Sequence, residues 1–251
     1  MNKALYFLSV LFYFKSYAQK ASISVFAGGG VSYVKSKGQP ISFNADYPKE
    51  TSSKFFPVVT PHFDVRFNKP VSHGTGIETG VGYARRGYRQ VFVDKTIYPN
   101  QTFHRYENNT RTSIDYIRIP VTVTYQHQVS RNASLSLATG MDYGFAFTAR
   151  QKGHFTNSYS SGEVTIQEYD RKPDIKLLAG ENRFASYNAY WADFFLFDVA
   201  LSFNIQFRYK KKFLLRVLQS YSLYAHQPQE TSDFKTRLRY TGLSVGYSLW
   251  R

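Results

Sequence analysis

The chain has 251 residues, with 32 Lys and Arg against 17 Asp and Glu, 21 Tyr, 22 Phe and no Cys. The lack of cysteine excludes a disulfide scaffold, a zinc–thiolate site and a thiol enzyme. With 20% charged and 18% aromatic residues, the chain is neither a helical membrane bundle, which needs spans of about 20 apolar residues, nor an unfolded polymer, which avoids aromatics.

Lys3 precedes the apolar run from Ala4 to Phe14, and Ser16 and Ala18 put small residues at the −3 and −1 positions of a cut before Gln19. This predicts a secretory signal peptide over residues 1–18 and a mature domain over 19–251. The competing reading is a membrane anchor, but Lys15 interrupts the run well short of the about 20 residues a helical span needs. Removing Lys3 and Lys15 leaves 30 basic and 17 acidic residues, a net charge of +13.

From Gln19 onward the hydrophobic pattern has period two, the mark of a strand with one apolar face. Over 19–34, Ile23, Val25, Val31 and Tyr33 oppose Ser22, Ser24, Gly28 and Ser32; over 57–68, Val59, Phe63, Val65 and Phe67 oppose Thr60, His62, Asp64 and Arg66. From Thr75, Ile77, Val81 and Tyr83 oppose Gly76, Glu78, Gly80 and Gly82; over 110–126, Ile117, Ile119, Val121, Val123 and Tyr125 oppose Arg118, Thr122 and Thr124. Over 133–149, Leu135, Leu137, Met141, Tyr143, Phe145 and Phe147 oppose Ser134, Ser136, Ala138, Gly140, Asp142 and Gly144. Over 191–209, Phe195, Phe197, Val199, Leu201, Phe203, Ile205 and Phe207 oppose Asp198, Ser202, Asn204 and Gln206. The segment 213–226 is less clean, because Leu214 and Leu218 share a face with Arg216, Ser220 and Ser222; over 235–250, Leu243, Val245, Tyr247 and Leu249 oppose Gly242, Ser244, Gly246 and Ser248.

Eight strands result, several of them longer than the about 9–11 residues that cross a bilayer at a tilt. Their connections alternate: about 69–74, 127–132 and 210–212 are short, about 35–56, 94–109 and 150–190 are long, and 227–234 is intermediate. This is the plan of an all-β, eight-stranded antiparallel up-and-down transmembrane barrel, with both chain ends on the short-turn, periplasmic side. A soluble ligand-binding barrel has the same period but shows its polar face to water, where Lys and Glu abound. Here the polar face is Gly, Ser, Ala and Thr, and within these segments Lys occurs only at Lys20 and Lys235. Small residues suit the narrow lumen of eight strands, and its charges balance: Asp64, Glu78, Asp142 and Asp198 against Arg66, Arg118, Arg208 and Arg216. We read these eight as a paired network plugging the lumen, since an unpaired buried charge is costly. Aromatics fall in two groups: Phe67, Tyr125, Phe207, Tyr209, Phe213, Tyr247 and Trp250 near the short turns, and Tyr33, Tyr83, Tyr143, Phe145, Trp191, Phe195 and Tyr221 near the long loops. Membrane barrels carry such girdles at both interfaces.

At IETGVGYARRGY (77–88), at YIRIPVTVTY (116–125) and in the closing TGLSVGYSLW (241–250) the chain resembles the PorT-like outer-membrane β-barrel family of Gram-negative bacteria. The resemblance covers essentially the whole mature chain and implies an outer-membrane location. The family's founding member is associated with a protein-secretion apparatus, so a link to secretion is a further implication. Two departures are Arg251 after the penultimate Trp250, where many such barrels end on an aromatic residue, and Pro120 inside a strand. Pro lacks a ladder donor, which predicts a bulge or a missing hydrogen bond there.

The positive charge sits in or beside the long loops, at Lys35, Lys37, Arg85, Arg86, Arg89, Arg150, Lys152, Arg171, Lys172, Arg237 and Arg239. Beyond an outer membrane the neighbouring phosphates belong to lipopolysaccharide rather than nucleic acid, so the first seven are candidate lipopolysaccharide contacts. The rival reading is a lipid-modifying enzyme using Ser220, Ser222 and His226, whose alternate spacing puts them on one face; no acidic orienter accompanies them. His62 beside Asp64 fits a buried network better than a catalytic pair, and six scattered His support no metal site. Gly28–Gly30 lacks the Lys-Ser/Thr and helix start of a phosphate loop, and eight strands are too few for an open pore. No cofactor is expected. The stretch 150–190, where VTIQEY (164–169) extends a hairpin outward, is the first candidate for a protein partner.

Overall fold

An alternating sequence favours extended backbone because successive side chains point to opposite faces of a sheet, so that one face is apolar throughout. The computed structural model describes residues 21–37, 49–72, 74–172, 181–183, 193–195, 197–223 and 235–250. In chain order these form β1 (Ser22–Lys37), β2 (Lys49–Phe56), β3 (Val58–Ser72), β4 (Thr75–Ile97), β5 (Phe103–Ser130) and β6 (Ala133–Tyr159). They continue as β7 (Val164–Arg171), β8 (Glu181–Arg183), β9 (Asp193–Phe195), β10 (Phe197–Tyr209), β11 (Phe213–Ser222) and β12 (Lys235–Trp250). Antiparallel pairing runs β10–β11–β12–β1–β3–β4–β5–β6, and β6 pairs back to β10 through Phe207 opposite Leu135 up to Phe197 opposite Phe145. The ring therefore has eight strands and no free edge within it.

Outward positions are apolar and inward ones polar. On β10, Ile205 is 51% exposed whereas Asn204 beside it is 6% exposed. The outward set from Phe197 to Tyr209 rises about 40 Å along the strand, or about 28 Å along the membrane normal at a 45° tilt, close to the about 25 Å band of membrane barrels. Outward-facing rings cluster toward both ends: Phe213 meets Tyr247 at 5.7 Å beside the short turns, while Phe145 meets Phe197 at 4.9 Å and Tyr83 meets Phe147 at 6.2 Å toward the long connections. This is the reverse of a soluble ligand-binding barrel. On β11, Leu214 and Leu218 are buried on the inner face with Arg216, Ser220 and Ser222, so the irregular sequence pattern reflects two leucines packed into the lumen.

Several boundaries differ from the sequence expectation. The expected loop 94–109 shrinks to a turn over 98–102: β4 and β5 stay paired from Arg85 opposite Asp115 to Ile97 opposite Phe103. β2 adds to the same extension through Phe56 opposite Arg89, and β7 adds to β6. The sixth ring strand starts at Phe197, because Asp193–Phe195 pairs with Glu181–Arg183 in a separate small sheet. Residues 1–20, Trp191 and His226 lie outside the described residues.

Local chemistry accounts for the closures. The three-residue β10–β11 turn places Lys210 and Lys211 at φ 47° and 61°, left-handed backbone at two successive positions, and the Lys212 N–H closes it on the Tyr209 carbonyl at 3.1 Å. Added Cβ atoms at Gly28 and Gly30 would run into the β12 backbone at Ser244 and Gly242, so these glycines permit the close approach of β1 to β12. Pro120 behaves as its missing donor predicts: the β4–β5 ladder lapses between Thr79 opposite Val121 and Gly82 opposite Arg118, then resumes in register.

Candidate functional site

The inner face carries one chain of alternating charge along the barrel axis. From the short-turn end, Arg66 and Arg216 approach Glu78 at 3.5 and 3.9 Å and Asp64 at 3.2 and 2.9 Å. Asp64 lies 3.9 Å from Arg118, whose Nε donates to Asp142 at 2.8 Å. Asp142 in turn accepts from Arg86 Nη2 at 3.1 Å, and Arg86 Nη1 donates to Asp198 at 2.6 Å. Glu78, Asp64 and Asp142 each sit between cations and Asp198 is bonded by Arg86 and Ser222, which offsets the desolvation that isolated charges would suffer in a confined space. Arg208 is buried on the same face near the short turn.

Seven of the eight lumen residues named from sequence are linked in this chain, and Arg86 joins them. Arg86 is only 3% exposed and faces inward, so it is no contact for lipopolysaccharide. The inward parity of Glu78, Gly80 and Gly82 simply continues through Ala84 to Arg86. Among the described residues, arginines on the inner face therefore exceed carboxylates by one, and two aromatic rings take up positive charge. Arg216 stacks 3.6 Å from the centroid of Phe26, and Arg86 lies 5.7 Å from that of Tyr116. Phe26 on a polar face has this reason to be there. His62 is buried with Nδ1 2.6 Å from the Tyr240 hydroxyl, an arrangement the sequence pattern could not show.

The candidate nucleophiles do not face lipid. Ser220 accepts from Arg86 at 3.1 Å and Ser222 donates to Asp198, both inside the barrel. Their surroundings are guanidinium and carboxylate, without an imidazole among the described residues within hydrogen-bonding reach. Among the described residues no group of three His, Asp or Glu is placed to hold a metal ion.

A second constellation rings the outside, just beyond the apolar band. Asp115 accepts from Tyr83 at 2.6 Å and from Arg85 at 2.7 and 3.1 Å. At this level the β5–β6 register shifts between Asp115 and Tyr116, and the inward parity on β6 passes from Ala146 to Ala149. Further out, Arg89 is exposed, donates to Asn109 at 2.8 Å and lies over the Phe56 ring. Arg150 and Lys152 clasp Asp170, the latter at 3.2 Å, and Lys35 is exposed on β1. Arg150's hydrogen bond holds the Asp170 carboxyl well below the usual carboxylate range. Five of the seven collar candidates thus point outward at the band's edge; the Lys37 side chain lies outside the described residues.

Above the collar, β2, β4, β5, β6 and β7 form a five-stranded sheet that continues past the ring. β4 alone runs thirteen residues from Arg85 to Ile97, about 40 Å of strand. One face of this sheet carries a row of rings across four strands: Phe92–Tyr106 at 6.4 Å, Tyr106–Phe155 at 5.9 Å and Phe155–Tyr169 at 6.5 Å. Tyr169 donates to Asn108 at 2.7 Å and also bonds Thr110, and burial pushes its hydroxyl above the usual tyrosine value.

A family model described as an outer membrane protein beta-barrel domain matches residues 17–224. The chain belongs to that family. Its location is accordingly the cell outer membrane. Among solved structures it is similar to Ail, the attachment invasion locus protein of Yersinia pestis, in complex with the heparin analogue sucrose octasulfate. The TM-score is 0.37 at 12% identity, covering 92% of this chain and 100% of that one. Neisserial surface protein A gives 0.33 at 10% identity over 91% and 99%, and OprG from Pseudomonas aeruginosa gives 0.33 at 8% over 91% and 96%. No curated protein matches the sequence.

Proposed function

We propose that this protein is a non-enzymatic outer-membrane anchor that holds a rigid extracellular sheet as an interaction platform. The observation that carries this reading is the five-stranded sheet itself, which projects beyond a barrel whose axis is filled by paired charges. A lumen so occupied offers small solutes no route, and the inward seryl groups are engaged by charged neighbours. The exposed collar residues Lys35, Arg85, Arg89, Arg150 and Lys152 contact lipopolysaccharide phosphates and fix the height of the barrel in the outer leaflet.

The link to protein secretion rests on the PorT-like segments 77–88 and 116–125 alone. Crosslinking and mass spectrometry on intact envelopes tests both levels. The comparison strain carries a version in which the β4–β5 hairpin is shortened between the opposed residues Gln90 and Thr110. Partners captured by the full chain and lost on shortening support the platform, and secretion components among them support the finer link. Identical partner sets for both versions refute the platform.

A further inference from the structure

We propose that the outward edge of β7 is a strand-addition site for an extended segment of a partner protein. That segment carries one basic and two apolar residues at alternate positions. β7 pairs with β6 from Ser158 opposite Val164 to Gln151 opposite Arg171, and no described strand pairs with its other side. Alternate N–H and C=O groups along that side therefore point away from the sheet, and with no strand among the described residues pairing them they form a template for another strand.

The edge is ordered before any partner arrives. Tyr169 is tied to Asn108 on β5, Asp170 to Arg150 and Lys152 on β6, and the Arg171 guanidinium lies 4.6 Å from the centroid of the Tyr169 ring. Pinning of this kind lowers the entropy lost on binding. The opposite edge of the same sheet is β2, which abuts Pro57, a residue that discourages edge pairing. β7 instead presents Val164 at 58% and Ile166 at 66% exposure on one face, followed by exposed Glu168. A strand laid antiparallel against it meets Glu168, Ile166 and Val164 in that order, which calls for a basic residue and then two apolar ones, each separated by one position.

A second copy does not fit this edge. Two copies in one membrane are related by a twofold rotation about the membrane normal, which keeps the vertical component of a strand and reverses its horizontal one. With the about 35–45° tilt of barrel strands, which β7 inherits from β6, the two edges would cross at about 70–90° and could form no ladder.

The inference rests on the sheet being an interaction surface, but its test uses the full chain purified in detergent micelles and does not depend on what the envelope pulldown finds. The probe is the blocked, fluorescently labelled peptide Thr-Lys-Thr-Val-Thr-Val-Thr. Binding is read by anisotropy, and hydrogen exchange is followed over Val164–Arg171. Saturable binding is expected, with exchange of alternate β7 amides slowed by the probe. Ile166→Lys should weaken binding at least tenfold. Glu168→Lys should weaken it at least fivefold, with recovery when the probe carries Glu in place of Lys. A probe with Pro for the Thr between its two Val should not bind. Both substitutions are on exposed side chains, and retention of the heat-dependent gel shift confirms that each variant is folded. The proposal is overturned if no saturable binding occurs, or if Ile166→Lys and the Pro probe bind unchanged. It is equally overturned if all β7 amides are already protected without probe, which would mean the chain covers its own edge, or if the protein forms a dimer that Ile166→Lys dissolves.

Discussion

Arg85 and Arg86 are adjacent in sequence and opposite in environment, and replacing each by Ala separates the two roles. Arg86 is 3% exposed and donates to Asp198 at 2.6 Å, to Asp142 at 3.1 Å and to Ser220 at 3.1 Å. Without it Asp142 depends on Arg118, and Asp198 keeps Ser222 as its bonded partner. Removing one member of a buried ion pair costs about 3–5 kcal/mol, because the remaining charge stays desolvated. The Arg85 side chain is 45% exposed, and its pair with Asp115 is screened by water and salt, so its loss costs about 1 kcal/mol or less. Urea unfolding of the barrel in lipid vesicles, followed by the gel mobility of folded and unfolded forms, measures both. Arg86→Ala is expected to lose at least about 2 kcal/mol more than Arg85→Ala. Arg86→Met combined with Asp198→Asn should recover part of that loss, since no unpaired charge is left there. Equal stabilities for the two alanine variants would refute the lumen ladder as described.

Three further outcomes follow from other parts of the structure. Val121, outward and 44% exposed in the apolar band, changed to Arg should destabilise the vesicle-inserted barrel by about 2–4 kcal/mol in the same urea assay, whereas Leu there should be neutral. Replacing Lys210–Lys211 by Asn-Gly should raise stability by about 1 kcal/mol, because both positions have left-handed backbone that Lys adopts at a cost. The Tyr169 hydroxyl is raised above its ordinary 10.0 by burial, so the neutral form is the one the fold favours. Its contribution to holding β7 is full below about pH 10 and lost as the pH rises through the raised value. Proteolysis of the β6–β7 hairpin should therefore accelerate above pH 10 in the wild type and show no such step in Tyr169→Phe.

What could be read from sequence was whatever the membrane enforces. Between lipid and a narrow lumen every second residue is constrained, so Val199, Leu201, Phe203 and Ile205 announce their faces without ambiguity. Beyond the collar that constraint ends: Val91, Phe92 and Val93 are consecutive apolar residues, and neither face of the sheet meets hydrocarbon. Residues 94–97 and 103–109 therefore look like parts of a loop although they are paired strand. Arg86 is hidden for a related reason, since ARRGY (84–88) reads as a basic loop unless the parity from Glu78 is carried through it. The choice of partners in the ladder is set by the stagger of the strands around the ring, and no single segment encodes it. Thus Asp64 and Arg216 meet at 2.9 Å although 152 positions separate them.

The chain has no cysteine, so a single Cys can be placed and spin-labelled at each position from Val199 to Tyr209 in turn, in a vesicle-inserted sample. Collision rates with oxygen, which partitions into lipid, should peak at 201, 203, 205 and 207 and fall at the positions between them, while a water-soluble nickel complex reaches none of the seven sites from 201 to 207. Oxygen peaks at the even positions, or nickel access at the odd ones, would contradict a barrel whose apolar face meets lipid.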